Sequence, residues 1–324
     1  MITFIVYLFA VLKNVIYGTS VFFTGELSAT VDVLDILALR FLMSFVVLFI
    51  LKSLRVIKID VGIKDVIGCT DRSKYVKSLL LASLFEPVLY MFFETLGITM
   101  TSGITAGVIL SLLPVSCCIC ESLILKEKTT LLQKIFLGIG IVGVAYIAVN
   151  TSTGEGKDSI MGIIFLLLAI ISGAFFMVFS RKSSSAFKPM EITYFSCMLG
   201  MVAFNAVNIV RHLINGDILE YFTPYLDLDN MIGFVFLAVI STIVATSMNN
   251  FALSYMQAST MSAFGGLSTM VTVAVGVIFA HEKLYTFHII GLVLIVIRMV
   301  GVSAIAIRKE KKLSNKNLER NSIK

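Results

Sequence analysis

Residues 158–180 read DSIMGIIFLLLAIISGAFFMVFS. After Asp158 no ionisable side chain interrupts the run. About 20 apolar residues in a helix cross a hydrocarbon core of roughly 30 Å. Residues 287–307, FHIIGLVLIVIRMVGVSAIAI, have the same character apart from His288 and Arg298. A membrane-spanning strand would need about ten residues of alternating polarity, and neither stretch alternates. Both therefore read as membrane helices.

The rest of the chain agrees. Of the 324 residues, 58% are hydrophobic and 14% charged, and the mean hydropathy is +0.97. Soluble domains carry about 25% charged residues, so a water-soluble fold has nowhere to put this much apolar surface. The expectation is an all-α integral membrane protein of ten transmembrane helices, at roughly 2–22, 35–54, 76–97, 103–124, 132–150, 159–180, 189–212, 231–253, 258–279 and 285–307. The run from Ile2 to Phe23 lacks a basic flank and exceeds the apolar core of about 7–15 residues that a signal peptide carries. It reads as the first membrane helix. Tryptophan is absent, which leaves any aromatic belt to Tyr and Phe.

Charge sets the expected orientation. The segments at 52–77, 126–134 and 181–188 and the tail at 308–324 hold most of the 26 Lys and Arg, whereas the opposite loops hold only Lys157, Arg211 and Lys283. By the positive-inside rule both termini are cytoplasmic and the protein sits in the cell (inner) membrane. The tail from Arg308 to Lys324 is polar and basic and is expected to be disordered. It favours anionic lipid headgroups and implies no nucleic acid.

The two halves resemble each other at a spacing of about 155 residues. Gly18 and Gly173 each follow an apolar run, and Asp35 and Glu191 each open a helix. LGITMTSGITAGVILS at 96–111 matches LSYMQASTMSAFGGLS at 253–268, and each half then reaches a Glu-Lys pair, Glu127-Lys128 and Glu282-Lys283. A five-helix unit has an odd number of crossings, so the second copy must insert upside down. The expected organisation is two inverted five-helix repeats at 1–150 and 151–307, followed by the tail at 308–324. Inverted repeats are a common plan of secondary transporters, with a site near the midplane where the halves meet.

The ordered features Tyr17-Gly18, Leu39-Arg40, Thr105, Ala106, Ser111, Pro114 and Glu127, echoed by Ala263, Gly265, Gly266 and Glu282, resemble the EamA family of the drug/metabolite transporter superfamily. The resemblance covers essentially all of 1–307. It departs in having Tyr17 where the family usually has Trp, and in lacking a proline near Val271. It implies a carrier, often an exporter, of amino acids or other small metabolites.

Ionisable groups at membrane depth cost about 2.5–3.5 kcal/mol each on insertion scales and are functional candidates by default. Lys13, Glu86 and Arg298 fall mid-helix, and Glu86, Tyr90 and Glu94 share a face by i, i+4 spacing. They are expected to line a central polar cavity, with Lys13 or Arg298 pairing one of the carboxylates. The alternative is a buried ion pair that only locks helices together. Asn249 and Asn250 are candidate solute contacts or interhelical hydrogen bonds, and Asn205 and Asn208 favour the latter. Arg40 reads as an interfacial anchor and Glu121 as half of a cytoplasmic ion pair. The small residues opening the fourth and ninth helices read mainly as close-packing surfaces. Pro87 and Pro114 are positioned to kink their helices.

Other patterns carry no chemistry. Gly138-Ile139-Gly140-Ile141-Val142-Gly143 fits a dinucleotide fingerprint but lies inside an apolar helix, so it reads as packing surface. His281-Glu282 lacks a second histidine, and no phosphate-binding loop is present. Cys69, Cys117, Cys118, Cys120 and Cys197 form neither a disulfide framework nor a metal pattern. No cofactor, metal or enzymatic activity is expected. The expected partners are a small-molecule substrate and the lipid bilayer, with a non-transporting receptor or assembly subunit as the rival function.

Overall fold

Two prolines interrupt two helices of the bundle. The computed structural model describes residues 2–60, 72–126, 130–151 and 159–322, and every regular element within them is helical. In chain order the helices are α1 (Ile2–Ser28), α2 (Val33–Ser53), α3 (Ser73–Thr99), α4 (Gly103–Ile124) and α5 (Leu131–Thr151). They continue with α6 (Ile160–Ser183), α7 (Pro189–Asn215), α8 (Leu228–Leu253), α9 (Ala258–Ala263 and Gly265–Ile278) and α10 (Thr286–Ser322). Seven are long and apolar enough to cross a membrane: α1 from Phe4 onward, α2, α3, α4, α6, α7 and α8. The other three carry shorter apolar runs, Leu131–Tyr146, Gly265–Ile278 and Thr286–Val302.

The ends follow from local chemistry. Asp32 caps α2 by accepting from the Leu34 N–H at 2.9 Å, and Asp227 caps α8 by accepting from Asp229 and Asn230. Gly216, at φ +78°, takes the left-handed turn that stops α7. The tail departs from expectation, because α10 continues as helix to Ser322. Residues 308–322 contain no glycine or proline and are rich in Lys, Glu, Arg and Leu, so a helix already nucleated by its apolar part propagates through them.

Pro87 breaks α3. Proline lacks the N–H that its helix position requires and disfavours helical torsions in the residue before it. Glu86 accordingly sits at φ −139°, ψ 119° inside the segment Leu84–Leu89, where the turns widen. Pro114 does the same for α4, which loses regularity at Ser111 and Leu112 between Gly103–Leu110 and Leu113–Cys120. In α8 the turns widen over Phe236–Ala245.

The helices pack in matched pairs. α1 lies against α8 and α9, α6 against α3 and α4, α2 against α7, and α5 against α10. Glycines allow the closest approaches. A Cβ on Gly18 would stand 2.5 Å from the Ser268 carbonyl of α9, and Thr272 donates to the Gly18 carbonyl at 3.0 Å. Gly107 of α4 likewise meets α9, where Thr269 donates to its carbonyl at 3.0 Å. Two glycines of α5 are packing surface, as expected: Gly140 faces Arg298 and Gly143 faces Leu294 of α10, whereas Gly138 faces open space.

Both ends of the α2–α7 pair are clasped by charge. At one end Asp35 accepts from Asn208 at 2.8 Å and from Arg211 at 2.7 Å, with His212 Nε2 at 2.8 Å. His212 Nδ1 lies 2.8 Å from Asp217. Both ring nitrogens thus face carboxylates, an arrangement that suits the doubly protonated ring. The loop after α7 folds down on this end, where Tyr221 donates to Asn205 and Tyr225 to the Leu39 carbonyl, each at 2.6 Å. Asn205 and Asn208 are therefore structural, as their sequence setting suggested. At the other end Glu191 accepts from Arg72 at 3.0 Å and from the backbone N–H groups of Asp60 and Lys188. Lys188 in turn reaches the exposed Asp60 carboxylate at 2.8 Å and holds it below the usual carboxylate range.

Candidate functional site

The bundle holds a narrow, partly enclosed cavity of about 80 Å³. Its wall is built from both halves of the chain: Lys13 and Tyr17 of α1, Arg40 of α2, Glu86, Tyr90 and Glu94 of α3, Gly107 and Leu113 of α4, Phe176 of α6, Ser241 and Asn249 of α8, and Thr269 and Thr272 of α9. A concave site with a few converging polar groups is the usual form of a small-molecule site.

The break at Pro87 places Glu86. An extended residue inside a helix turns its side chain out of the helical register, and the Glu86 carboxylate reaches the cavity half-buried. Pro87 is held down by α7, where a Cβ on Gly200 would stand 2.6 Å from its ring. Beyond the break α3 resumes its regular turns, and Tyr90 and Glu94 follow on the same wall. The Tyr90 hydroxyl donates to Glu94 Oε1 at 2.7 Å. Gly173 of α6 makes room for Tyr90, since a Cβ there would lie 3.0 Å from the ring.

The cations stand on neutral partners. Lys13 is buried, donates to Asn249 Oδ1 at 3.1 Å and lies 5.2 Å from the centre of the Tyr17 ring. The Tyr17 and Thr246 hydroxyls are 3.2 Å apart. Arg40 donates to Thr242 at 2.8 Å and to Ser241 at 3.3 Å, both in the widened turns of α8. Glu86 and Glu94 line the same cavity as Lys13 and Arg40. Hydroxyl and amide oxygens accept hydrogen bonds but carry no countercharge. Two carboxylates and two cations therefore share one cavity while their direct hydrogen bonds go to neutral groups.

The sequence-derived candidates divide accordingly. Glu86, Tyr90, Glu94, Lys13 and Asn249 come together in the wall, although Lys13 bonds an amide where a carboxylate was expected. Arg298 does not join them and pairs with neither glutamate. It is buried between α10, α5 and α4, and it donates to the Ser111 carbonyl. Asn250 also points elsewhere, accepting from Ser180 at 2.8 Å and donating to Thr193 at 3.0 Å, so its role is interhelical. Glu121 forms the expected ion pair, 3.1 Å from Arg181, and also accepts from the Ala258 N–H at 2.6 Å. Glu127 and Lys128 lie outside the described residues.

Arg40 is the residue that sequence reasoning misplaced. It is 3% exposed and lines the cavity, where an interfacial anchor was expected. Its depth was the available signal: seven residues in from Val33, at 1.5 Å per residue, it lies roughly 10 Å along α2.

A bundle of membrane-length helices around a charged internal cavity suits a solute carrier. The sequence model of the EamA-like transporter family matches residues 4–149 and again residues 160–304, and the chain belongs to this family of membrane transporters. It is 32% identical over 306 residues to the uncharacterized transporter YcxC of Bacillus subtilis (strain 168), covering 94% of this chain and 95% of that one. A solved crystal structure superposes with a TM-score of 0.63 at 15% identity, covering 95% of this chain and 98% of the other. That likeness establishes the fold alone.

Proposed function

We propose that this transporter moves a small organic solute carrying both an amine and a carboxylate, such as an amino acid, by alternating access through the central cavity. The proposed architecture is ten transmembrane helices in two inverted repeats, 1–150 and 151–307, with both termini cytoplasmic in the cell membrane. Several observations support it. Exchanging the halves maps the α1 contacts with α8 and α9 onto the α6 contacts with α3 and α4, and maps the pairs α2–α7 and α5–α10 onto themselves. The family match likewise falls in two stretches of similar length. The proposal assigns the chain no catalytic step, and export is the direction that the resemblance implies.

Glu86 carries the substrate assignment. It is a carboxylate held at a helix break in the wall that also presents Lys13 and Arg40. A solute ammonium placed at Glu86, with Glu94 and Tyr90 beyond it, leaves the solute carboxylate to Lys13 and Arg40. Each charge then gains an opposite charge on binding, which offsets the desolvation that both partners suffer. The test is thermal unfolding of the purified protein with amino acids, nucleobases and small amines, for wild type and Glu86→Gln. A ligand at a hundredfold excess over Kd stabilises the folded state by about 2.7 kcal/mol. Stabilisation by amino acids in wild type and its loss in Glu86→Gln is the expected result. Stabilisation by nucleobases alone, or by amino acids equally in both proteins, overturns the assignment.

A further inference from the structure

Arg298 belongs to α10 and lies outside the cavity, yet it holds a part of α4 that lines it. Its side chain is fully buried. One guanidinium nitrogen, Nη1, donates to the Ser111 carbonyl. Ser111 stands at the interruption of α4, and the hydrogen bonds around it show how that carbonyl comes to be available. In an unbroken helix the Val115 N–H would reach Ser111, but here Val115 bonds Leu112 at 2.9 Å. Pro114, having no N–H, leaves the Leu110 carbonyl without its helical donor as well. Gly107, Leu110 and Leu113 bracket the break and face the cavity.

The guanidinium is only partly used. Within the described residues Nε and Nη2 of Arg298 have no hydrogen-bond partner, and neither has the Ser111 hydroxyl oxygen, although all three atoms are buried. A buried donor without a partner is costly, about 1–3 kcal/mol and more for a charged group. The site is also made for this side chain, since a Cβ on Gly140 of α5 would stand 2.3 Å from Arg298 Cδ.

We propose that Arg298 is a positioning residue for transport, a pivot at the α4 break. In the conformation described, Nη1 holds Ser111. When Gly103–Leu110 swings relative to Leu113–Cys120, Nη2 and Nε take the Leu110 carbonyl and the Ser111 hydroxyl. The donors idle in one conformation serve the other, so the break has two hydrogen-bonded settings. This inference rests on the alternating-access proposal above.

The test reads cavity exposure from each side of the membrane and needs no known substrate. Ser20 lines the cavity, and Ser20→Cys is a near-isosteric change. The full chain with Ser20→Cys is labelled with a membrane-impermeant maleimide in right-side-out and inside-out vesicles, with the chain lacking this substitution as background. The expected result is labelling from both sides, which falls at least tenfold on one side when Arg298→Met is added and is partly restored by Arg298→Lys. Ser111→Ala removes only the idle acceptor. It is expected to shift the ratio of labelling between the two sides several-fold while leaving thermal unfolding unchanged, and it serves even if Arg298→Met does not fold. Two-sided labelling whose ratio stays within twofold in Ser111→Ala and in every folded Arg298 variant overturns the pivot and leaves alternating access standing. Labelling of the Ser20→Cys parent from one side only overturns alternating access, and the pivot with it.

Discussion

Asp35 and Glu191 each open a helix, and each is held by an arginine from a neighbouring segment. Asp35 of α2 takes Arg211 at 2.7 Å, and Glu191 of α7 takes Arg72 at 3.0 Å. The two helices pack against each other, so the pairs fasten opposite ends of one joint. An acidic residue in the first turn already complements the helix dipole, and the arginine ties that turn to another segment of the chain.

These contacts differ greatly in worth. The Asp35 side chain is 13% exposed and accepts from three partners. Removing one member of a buried ionic cluster costs about 3–5 kcal/mol, because the remaining charges lose compensation. Asp35→Ala is expected to lower stability by about 3 kcal/mol. Asp60, 58% exposed in its pair with Lys188, lies where such pairs contribute little, and Asp60→Asn is expected to change nothing measurable. Thermal unfolding of both variants in the same detergent decides the comparison, and equal losses would refute it.

Glycine packing gives a second contrast. Gly18→Ala puts a methyl group 2.5 Å from a backbone carbonyl of α9, whereas Gly138→Ala meets nothing within 4 Å. Overpacking costs about 1–3 kcal/mol, while Ala at an open helical position gains up to about 1 kcal/mol over Gly. Gly18→Ala is expected to destabilise and Gly138→Ala to be neutral or stabilising. Calorimetry that shows the opposite order would mean that α1 and α9 do not pack so closely.

The Lys13–Asn249 contact predicts a coupling energy. Asn249→Leu strips the buried ammonium of its 3.1 Å acceptor, and a lost buried partner costs about 1–3 kcal/mol. Adding Lys13→Met removes the charge and is expected to recover most of that loss. A double-mutant cycle measured by thermal unfolding checks it. Strict additivity would show that the two groups do not interact.

Glu282 reinforces the Ser102 cap of α4, accepting from the Gly103 and Ile104 N–H groups at 2.8 and 2.9 Å. Loss of a helix cap costs about 0.5–2 kcal/mol. Glu282→Ala is expected near the upper end of that range and Glu282→Gln nearer the lower. Hydrogen exchange should localise the change to the first turn of α4. Exchange spread evenly over the bundle would show that the cap acts on something other than that turn.

The apolar runs were legible because lipid permits so few solutions for a backbone. Sequence patterns also located Glu86, Tyr90 and Glu94: Tyr90 and Glu94 share a wall by i, i+4 spacing, whereas Glu86 reaches it through its extended torsions at the Pro87 break, which spacing alone does not give. The fates of Arg40 and Arg298 were not legible. Both are single cations in apolar helices, and their roles depend on which helix stands opposite. Arg40 meets Ser241 and Thr242 only because α8 widens there, and no proline or glycine in Phe236–Ala245 announces the widening. Arg298 meets Ser111 only because Gly140 leaves it space. Hydrophobic patterning specifies which face is buried, and a tertiary contact specifies what it is buried against.

Glu282 lies 179 residues beyond Gly103, the first N–H that it caps. The ribosome adds about 5–20 residues per second, so α4 exists for roughly 10 to 35 seconds before this carboxylate is made. During that interval the first turn of α4 has no carboxylate to close it. Until then the first turn of α4 has only its local Ser102 cap, and its carboxylate arrives with a loop made long after the helix itself.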